Sequence, residues 1–502
     1  MSESVTPNRR ARREAAEREA AAHPEGTRTA RRRAVSPEQL RPRGQTLVAL
    51  VLVAILVVGA FLADNVIGTR AVGAGAAGTV PSGAWYCPHG GGEDWESTVF
   101  VSNPGEEPVQ VRARRIGPDR SPGSTRVTVP AGGSVELAAA APDRGSATVV
   151  EYFGGHVAAG WVARTGENDI GLTAEPCLPQ AGPEWILGDG TTEDQEETWI
   201  VVMNPFPGDA VFTLTVLQED DPPGGLSEWN DFVLKGGRSV AFRLNDFAEG
   251  DRVLGARIQA SLGRIAASTL GVSKNRGVRS AVGWVGDPPD AAYLPGAGDD
   301  GTSFVTIVTP ESRGTNFSAS IFGPKGSQLV GGPGETSQRG DSAGRLQVDT
   351  PTPSTIWIRR GRDRPGFLAT RRTLGTSQDL GATTGAAEAG PAWIVFPSVG
   401  ESPQRPALVI TNPGTGDAEL TLTTMPAQGE PITKQITVRP GASVLAPEGL
   451  LADDPRAPVL VSAQSGGVVV ATASYSQGRE GVASYAVSAG APIDPTWITE
   501  AG

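Results

Sequence analysis

From about residue 84 onward the chain is built of short runs in which apolar and polar side chains alternate, and a period of two marks strands with one buried face. In Val109-Gln110-Val111-Arg112-Ala113-Arg114 the alternation is complete. This run follows Thr98-Val99-Phe100-Val101 across Asn103-Pro104-Gly105. The same sentence recurs as Ala407-Leu408-Val409-Ile410, Asn412-Pro413-Gly414 and Glu419-Leu420-Thr421-Leu422-Thr423. Each pair reads as an antiparallel hairpin, because proline fixes the turn and cannot donate to a ladder. Between Arg126 and Leu137, Pro130-Ala131-Gly132-Gly133 separates two short strands, a break that suits a strand changing sheets.

Four copies of this pattern are visible. Each opens on an aromatic, at Trp85, Trp185, Tyr293 and Trp393, and reaches a turn at Asn103-Pro104, Asn204-Pro205, Thr309-Pro310 or Asn412-Pro413. An edge signal follows, Gly133-Ser134-Val135, Arg238-Ser239-Val240, Pro353-Ser354-Thr355 and Ala442-Ser443-Val444. A closing hairpin begins at Gly155, Gly263, Gly366 and Gly467. The copies span 84–180, 181–290, 291–390 (degenerate) and 391–502, the last with an added terminal strand. Seven or eight short strands in roughly a hundred residues predict an all-β ectodomain of tandem immunoglobulin-like β-sandwich repeats. The opening aromatics are expected to plug the ends of the cores; stacking on sugars is the alternative use. The chain ends on Pro495-Thr496-Trp497-Ile498, which restarts the opening motif. Such a restart is how a ring closes, so the second arrangement is a single β-propeller of four double-blade repeats.

Thr46 to Ala63 changes the picture upstream. This apolar run is about 27 Å long as a helix, close to the thickness of a bilayer core. Arg31, Arg32, Arg33, Arg41 and Arg43 precede it, which places the N-terminus in the cytoplasm. The run is too long for an ordinary secretory signal and no small-x-small site follows Leu62, so 46–67 reads as a retained signal anchor. Residues 1–45 read as a basic disordered cytoplasmic tail and 68–83 as a flexible stalk. The formal charge of −12 conceals a split: the tail is arginine-rich and the remainder strongly acidic. An acidic ectodomain repels phosphates, which excludes nucleic acid as its partner.

Only two cysteines occur, Cys87 and Cys177, bracketing the first copy. Beyond an exporting anchor they are expected to form a disulfide tying the first strand of that copy to its last. Metal binding is the rival, and two thiols without CxxC spacing make a poor four-ligand site. No GxSxG elbow, P-loop, HExxH or dinucleotide fingerprint is present, so no catalytic, cofactor or metal residue is assigned and no cofactor is expected. Acids gather after two of the opening aromatics, at Glu93-Asp94-Glu96 and Glu193-Asp194-Glu196-Glu197, where solvated charge and Ca²⁺ ligation are the two readings. Arg359-Arg360-Gly361-Arg362-Asp363-Arg364 and Arg371-Arg372 are either a contact for an anionic polymer or internal partners for neighbouring acids.

With its basic tail, one membrane pass, and repeated Asn-Pro-Gly and Pro-Ala-Gly-Gly-Ser-Val signals, the chain resembles a family of actinobacterial single-pass envelope proteins of unknown function. The resemblance covers nearly all of the ectodomain and implies a location outside the cytoplasmic membrane, alongside cell-wall glycan assembly. The expected function is membrane-anchored binding or scaffolding without catalysis, with the cytoplasmic membrane and an envelope protein or glycan as partners. The alternative is a carbohydrate-active enzyme or glycan-binding protein acting in cell-wall assembly.

Overall fold

The alternating runs do form strands, but most connections carry the chain from one sheet to the other instead of back along the same sheet. The computed structural model describes residues 81–119, 123–165, 171–193, 195–274, 276–297, 301–330, 336–374, 380–397, 403–477 and 483–498. The tail, the anchor at 46–67 and nearly all of the stalk lie outside these residues. No helix among the described residues is long and apolar enough to cross a membrane.

The first copy contains β1 (Ser82–Cys87), β2 (Glu96–Ser102), β3 (Val109–Ile116), β4 (Ser124–Val129), β5 (Ser134–Ala140), β6 (Ala147–Phe153), β7 (Ala158–Arg164) and β8 (Leu172–Pro176). They make two antiparallel sheets, ordered β1-β6-β3-β4 and β5-β2-β7-β8. Trp85, Val111, Val150, Val99 and Trp161 from both sheets share one buried core. The same order recurs in residues 184–285, 291–384 and 392–492, giving eight small sheets in four β-sandwich-like pairs with no closed barrel.

Two sequence expectations are thereby corrected. The Asn-Pro turn does not close a hairpin, because β2 pairs with β5 and β7 while β3 pairs with β4 and β6. The segment opening at Gly155 is likewise a crossover, and the actual hairpin is β7–β8. Alternation reports that one face is buried; it is silent on whether successive strands pair or face each other across a core. The break at Pro130-Gly133 does separate strands of different sheets.

The asparagine explains why the Asn-Pro signal recurs. Asn103 is buried; its Nδ2 donates to the carbonyls of Glu107 (2.7 Å), Pro130 and Val129, and its Oδ1 accepts from Gly105 N. Asn204 and Asn412 do the same, donating to Gly208 and Leu234 and to Gly416 and Val438. Each side chain satisfies carbonyls that an arch between sheets would otherwise bury unpaired.

The third copy departs in two ways. The counterpart of Ser134 and Ser443 is Ser342, paired with Thr309, and not Ser354, which begins the strand equivalent to β6. Tyr293 bridges to Ala386 as Tyr86 does to Leu178, so the residue matching Trp85 is Ala292, and Tyr293 lies on the opposite face. The three tryptophans are core plugs: Trp85 Nε1 donates to Val157 O, Trp185 Nε1 to Ile265 O and Trp393 Nε1 to Gly390 O. Their burial removes sugar stacking as a use.

The four sandwiches are not a row of separate beads. β8 packs on Gly277–Val282, that strand on Leu380–Thr384, that on Ala483–Ala489, and the last back on β8. The circuit is closed by sandwiches and not by propeller blades, whose strands would run as meanders, and the segment expected to restart the motif as a terminal strand, Pro495–Trp497, is a 3-10 turn. The end of the chain completes it: Trp497 stacks on His156 of the first sandwich with ring centroids 4.4 Å apart. Phe396 of the fourth sandwich presses so closely on Gly160 that a Cβ there would fall 2.4 Å from the ring. An edge strand in water invites pairing with other chains, and here four such edges are hidden against one another.

Candidate functional site

Two places concentrate chemistry, the centre where the four last strands meet and the outer face of the first sandwich. The central group is a buried ionic cluster. Arg279 donates from Nε to Asp189 Oδ2 (2.9 Å) and from Nη1 to Glu196 Oε2 (2.6 Å), while Arg372 donates from Nε to Asp189 Oδ1 (2.9 Å). Arg372 Nη2 also reaches the Asp189 carbonyl, so this carboxylate joins the second sandwich to the third. Asp189 stands at φ 62°, between Gly188 and Gly190 of its strand, a left-handed conformation that Asp tolerates better than most residues.

Burial pushes the Glu196 carboxyl up, but Arg279 and then Arg372 overcome this and hold it below the usual range. For Arg372 burial dominates, with repulsion from Arg279 added, and its pKa is lowered despite Asp189 and Glu196. Arg371, next in sequence, is buried without a carboxylate and its pKa falls to about 10. Its guanidinium is satisfied by the carbonyls of Leu294 and Ser354 and the hydroxyls of Ser303, Ser354 and Thr350. Glu175 on β8 is fully buried; desolvation raises its pKa well above the ordinary value, offset in part by hydrogen bonds from Thr384 and Thr383. Thr384 N donates to its Oε1, and Oε2 finds no partner among the described residues.

Arg372 and Glu196 stand out in the sequence, Arg372 with an internal acid as one expected partner, but Asp189 and Arg279 do not. The partners are up to 183 residues apart, and the local signal at Asp189 is an aspartate flanked by glycines inside an apolar strand. The residues that were anticipated are placed as follows. Cys87 and Cys177 form a disulfide with Cα atoms 4.5 Å apart, linking the end of β1 to the residue after β8. Four of the acids after the opening aromatics enter ion pairs, Glu96 with Arg164, Glu197 with Arg243, Glu193 with Arg345 and Glu196 in the central cluster, and Asp194 lies outside the described residues. Among the described residues no three His, Cys, Asp or Glu side chains gather as a metal site. Arg360 pairs with Asp290 and Arg372 with Asp189, so the arginine-rich stretch serves internal acids at those two positions. His89 is buried, its Nδ1 2.7 Å from Gly90 O and its Nε2 3.1 Å from Thr148 Oγ1, and desolvation lowers its pKa to about 4.

The outer face is different in kind. On the solvent side of the first sandwich Arg112 and Arg126 stand directly opposite each other on β3 and β4, with Glu151 of β6 across from Arg112. Arg112 forks onto Glu151, Arg114 donates to Pro205 O of the second sandwich (2.7 Å), and Arg126 is exposed. Phe153, half exposed, closes one end; Tyr86 and Phe206, with ring centroids 6.2 Å apart, close the other.

The model of a family of unknown function, DUF5719, matches residues 153–445, more than half of the chain, and the chain belongs to that family. The matched stretch begins at the end of β6 and therefore leaves out the strands carrying Arg112, Arg114 and Arg126. No curated protein matches.

Proposed function

We propose that this family member is an extracytoplasmic binding or scaffolding protein of the cell envelope, held at the cytoplasmic membrane by residues 46–67, and that its sandwiches are four copies of one immunoglobulin-like unit. The strand order supports the second part. In each sandwich, with the two short strands Gly326–Leu329 and Thr336–Gln338 of the third taken together as its fourth strand, the second strand pairs with the fifth and the third with the sixth, as strands B with E and C with F do in immunoglobulin domains. The first strand then takes the place of G beside F, and the seventh that of A beside B.

One observation carries the functional reading: the buried charges Asp189, Glu196, Arg279 and Arg372 join two sandwiches, while Arg126 stands exposed on an outer sheet face. A carboxylate held by two guanidinium groups, as Asp189 is, is an anchor and not a general base. The disulfide supports export, since such bonds persist in oxidising compartments.

Reporter fusions test the placement. Alkaline phosphatase fused after Gly502 is expected to be active and a fluorescent protein before Met1 to be cytoplasmic. An inactive C-terminal phosphatase, or Cys87 and Cys177 alkylated in intact cells before reduction, would refute it.

A further inference from the structure

We propose that the outer face of the first sandwich binds an anionic glycan, a sugar chain bearing spaced carboxylates. The inference rests on the envelope-binding reading above and gives it a site. It begins from a pair of residues that costs stability. Like charges directly opposite on neighbouring strands repel, yet Arg112 faces Arg126 with one carboxylate, Glu151, beside them. Arg112 is answered by Glu151 and Arg114 by Pro205 O, but exposed Arg126 adds a like charge opposite Arg112, and where a sequence breaks a local rule function is the first explanation to test.

The equivalent strands of the other sandwiches sharpen the point. The asparagine clamps fix the register, so Arg112 and Arg114 correspond to Thr213 and Thr215 in the second sandwich and to Thr421 and Thr423 in the fourth. In the third they correspond to Ser318 and Ser320. Small hydroxyl side chains suffice for the fold at these positions. At these two positions arginine belongs to the first copy alone, in a chain whose net charge is −12, although the second sandwich carries Arg257 on the same face, donating to Pro310 O as Arg114 does to Pro205 O.

The shape selects the ligand class. Two depressions, of about 240 and 350 Å³, adjoin at Arg112, and from Gln110 to Arg114 the strip runs about 13 Å along the strand. Phe153 is 50% exposed at one end, offering a ring face to the apolar side of a sugar. Gln110 and Thr128, hydrogen-bonded to each other at 2.8 Å, offer partners for hydroxyls. Three guanidinium groups against one carboxylate match a polymer with a charge every sugar or two. The density of a nucleic acid, one phosphate per ~1.7 Å of duplex, would be repelled by the acidic remainder. A concave strip also fits a chain better than it fits a flat lipid surface.

The test uses the purified full-length chain and polygalacturonate, measured by calorimetry, beside neutral dextran, polyglutamate and vesicles containing anionic lipid. Polygalacturonate is expected to bind and dextran not. Arg126→Gln removes an exposed side chain and its like-charge opposition to Arg112, and is expected to weaken binding about tenfold with the melting temperature unchanged or slightly raised. Phe153→Ala is expected to weaken polygalacturonate severalfold. Failure of polygalacturonate to bind, binding indifferent to both substitutions, or equal or tighter binding of polyglutamate or vesicles each overturns the proposal. None of these outcomes bears on the reporter fusions, so the site and the envelope location fail separately.

Discussion

Replacing Asp189 with asparagine tests whether the central ionic cluster is what locks the second sandwich to the third. Asparagine keeps the size of the side chain and tolerates φ 62°, so the backbone is not the perturbation. The charge is. Arg279 and Asp189 are each 1% exposed and Arg372 7%, and two guanidinium groups are balanced by Asp189 and Glu196. The carboxamide oxygen can still accept from one arginine, but its NH₂ group then faces the other, leaving one buried positive charge in excess. Breaking a buried pair from one side costs about 3–5 kcal/mol. With an unfolding entropy near 2.1 cal/mol/K per residue, a loss of ~3 kcal/mol lowers the melting temperature of a body of about 420 residues by roughly 3 °C if it melts as one unit.

Urea denaturation at pH 7, followed by tryptophan fluorescence, measures the loss, and a double-mutant cycle assigns it. Adding Arg372→Gln to Asp189→Asn restores neutrality, so the double variant is expected to be less destabilised than the sum of the singles by about 1–3 kcal/mol. A single variant within ~0.5 kcal/mol of the parent, on the scale of an ordinary surface substitution, or a cycle that is simply additive, would show that packing holds the sandwiches together and that the charges are bystanders.

Three further outcomes are expected. Cys87→Ser with Cys177→Ser opens a loop of 90 residues and should cost at most about 4–5 kcal/mol in the chain-entropy account, read as a lower urea midpoint that matches that of the reduced parent; a midpoint equal to that of the oxidised parent contradicts it. Glu175→Gln should stabilise in alkaline but not acidic solution: a raised folded pKa means the native state holds its proton more tightly, so the parent loses stability as pH rises above the unfolded value near 4.5, and glutamine does not. Melting curves at pH 4 and pH 8 check the sign, and a variant less stable at pH 8 refutes it. Asn412→Ala strands the Gly416 and Val438 carbonyls and should cost about 2 kcal/mol, whereas Pro310→Ala, at the counterpart position of the third sandwich, removes no clamp and should cost less; equal losses in urea would deny the clamp its role.

Much of the local structure was legible. Period-two runs became strands, Pro130-Gly133 became a sheet change, and the two cysteines found each other. Pairing was not legible, because Val99 and Val111 alternate identically whether their strands are neighbours or face each other across a core. The third copy was misaligned by one residue at its opening: Tyr293 is conspicuous, but Ala292, which matches Trp85 in position, is not. The central cluster was hidden for a stronger reason. Arg279 and Arg372 belong to different sandwiches; Arg372 is conspicuous as one of an arginine-rich stretch, but Arg279 and the shared partner Asp189 are not until the ring brings them together. The outer face lay in between. Arg112 and Arg114 were visible as the polar half of an alternating strand, whereas the opposition of Arg126 to Arg112 required the β3–β4 register.

The ring also explains why the repeat is written in turns and not in chemistry. The last strands of the sandwiches meet at the centre, and their registers make Glu175, Ala281, Thr384 and Ser488 equivalent, each opposite the residue paired four positions before the turn asparagine or its counterpart Pro310. Two of the four touch directly, Thr384 N donating to Glu175 Oε1. Were all four glutamate, several carboxylates would share one dry site, and at an effective dielectric of about 20 two charges ~6 Å apart repel by roughly 3 kcal/mol. A closed ring of copies therefore cannot keep identical charged residues where the copies meet. One position carries the acid, two carry hydroxyls that can hydrogen-bond in either sense, and one is reduced to a methyl group. The same freedom applies at the periphery, where the first sandwich carries Arg112 and Arg114 at positions that hold only threonine or serine in the other three. Sequence identity between the copies survives at the arches, where each copy solves the same local problem alone, and it is lost at the two kinds of place, centre and outer face, where the copies have different work.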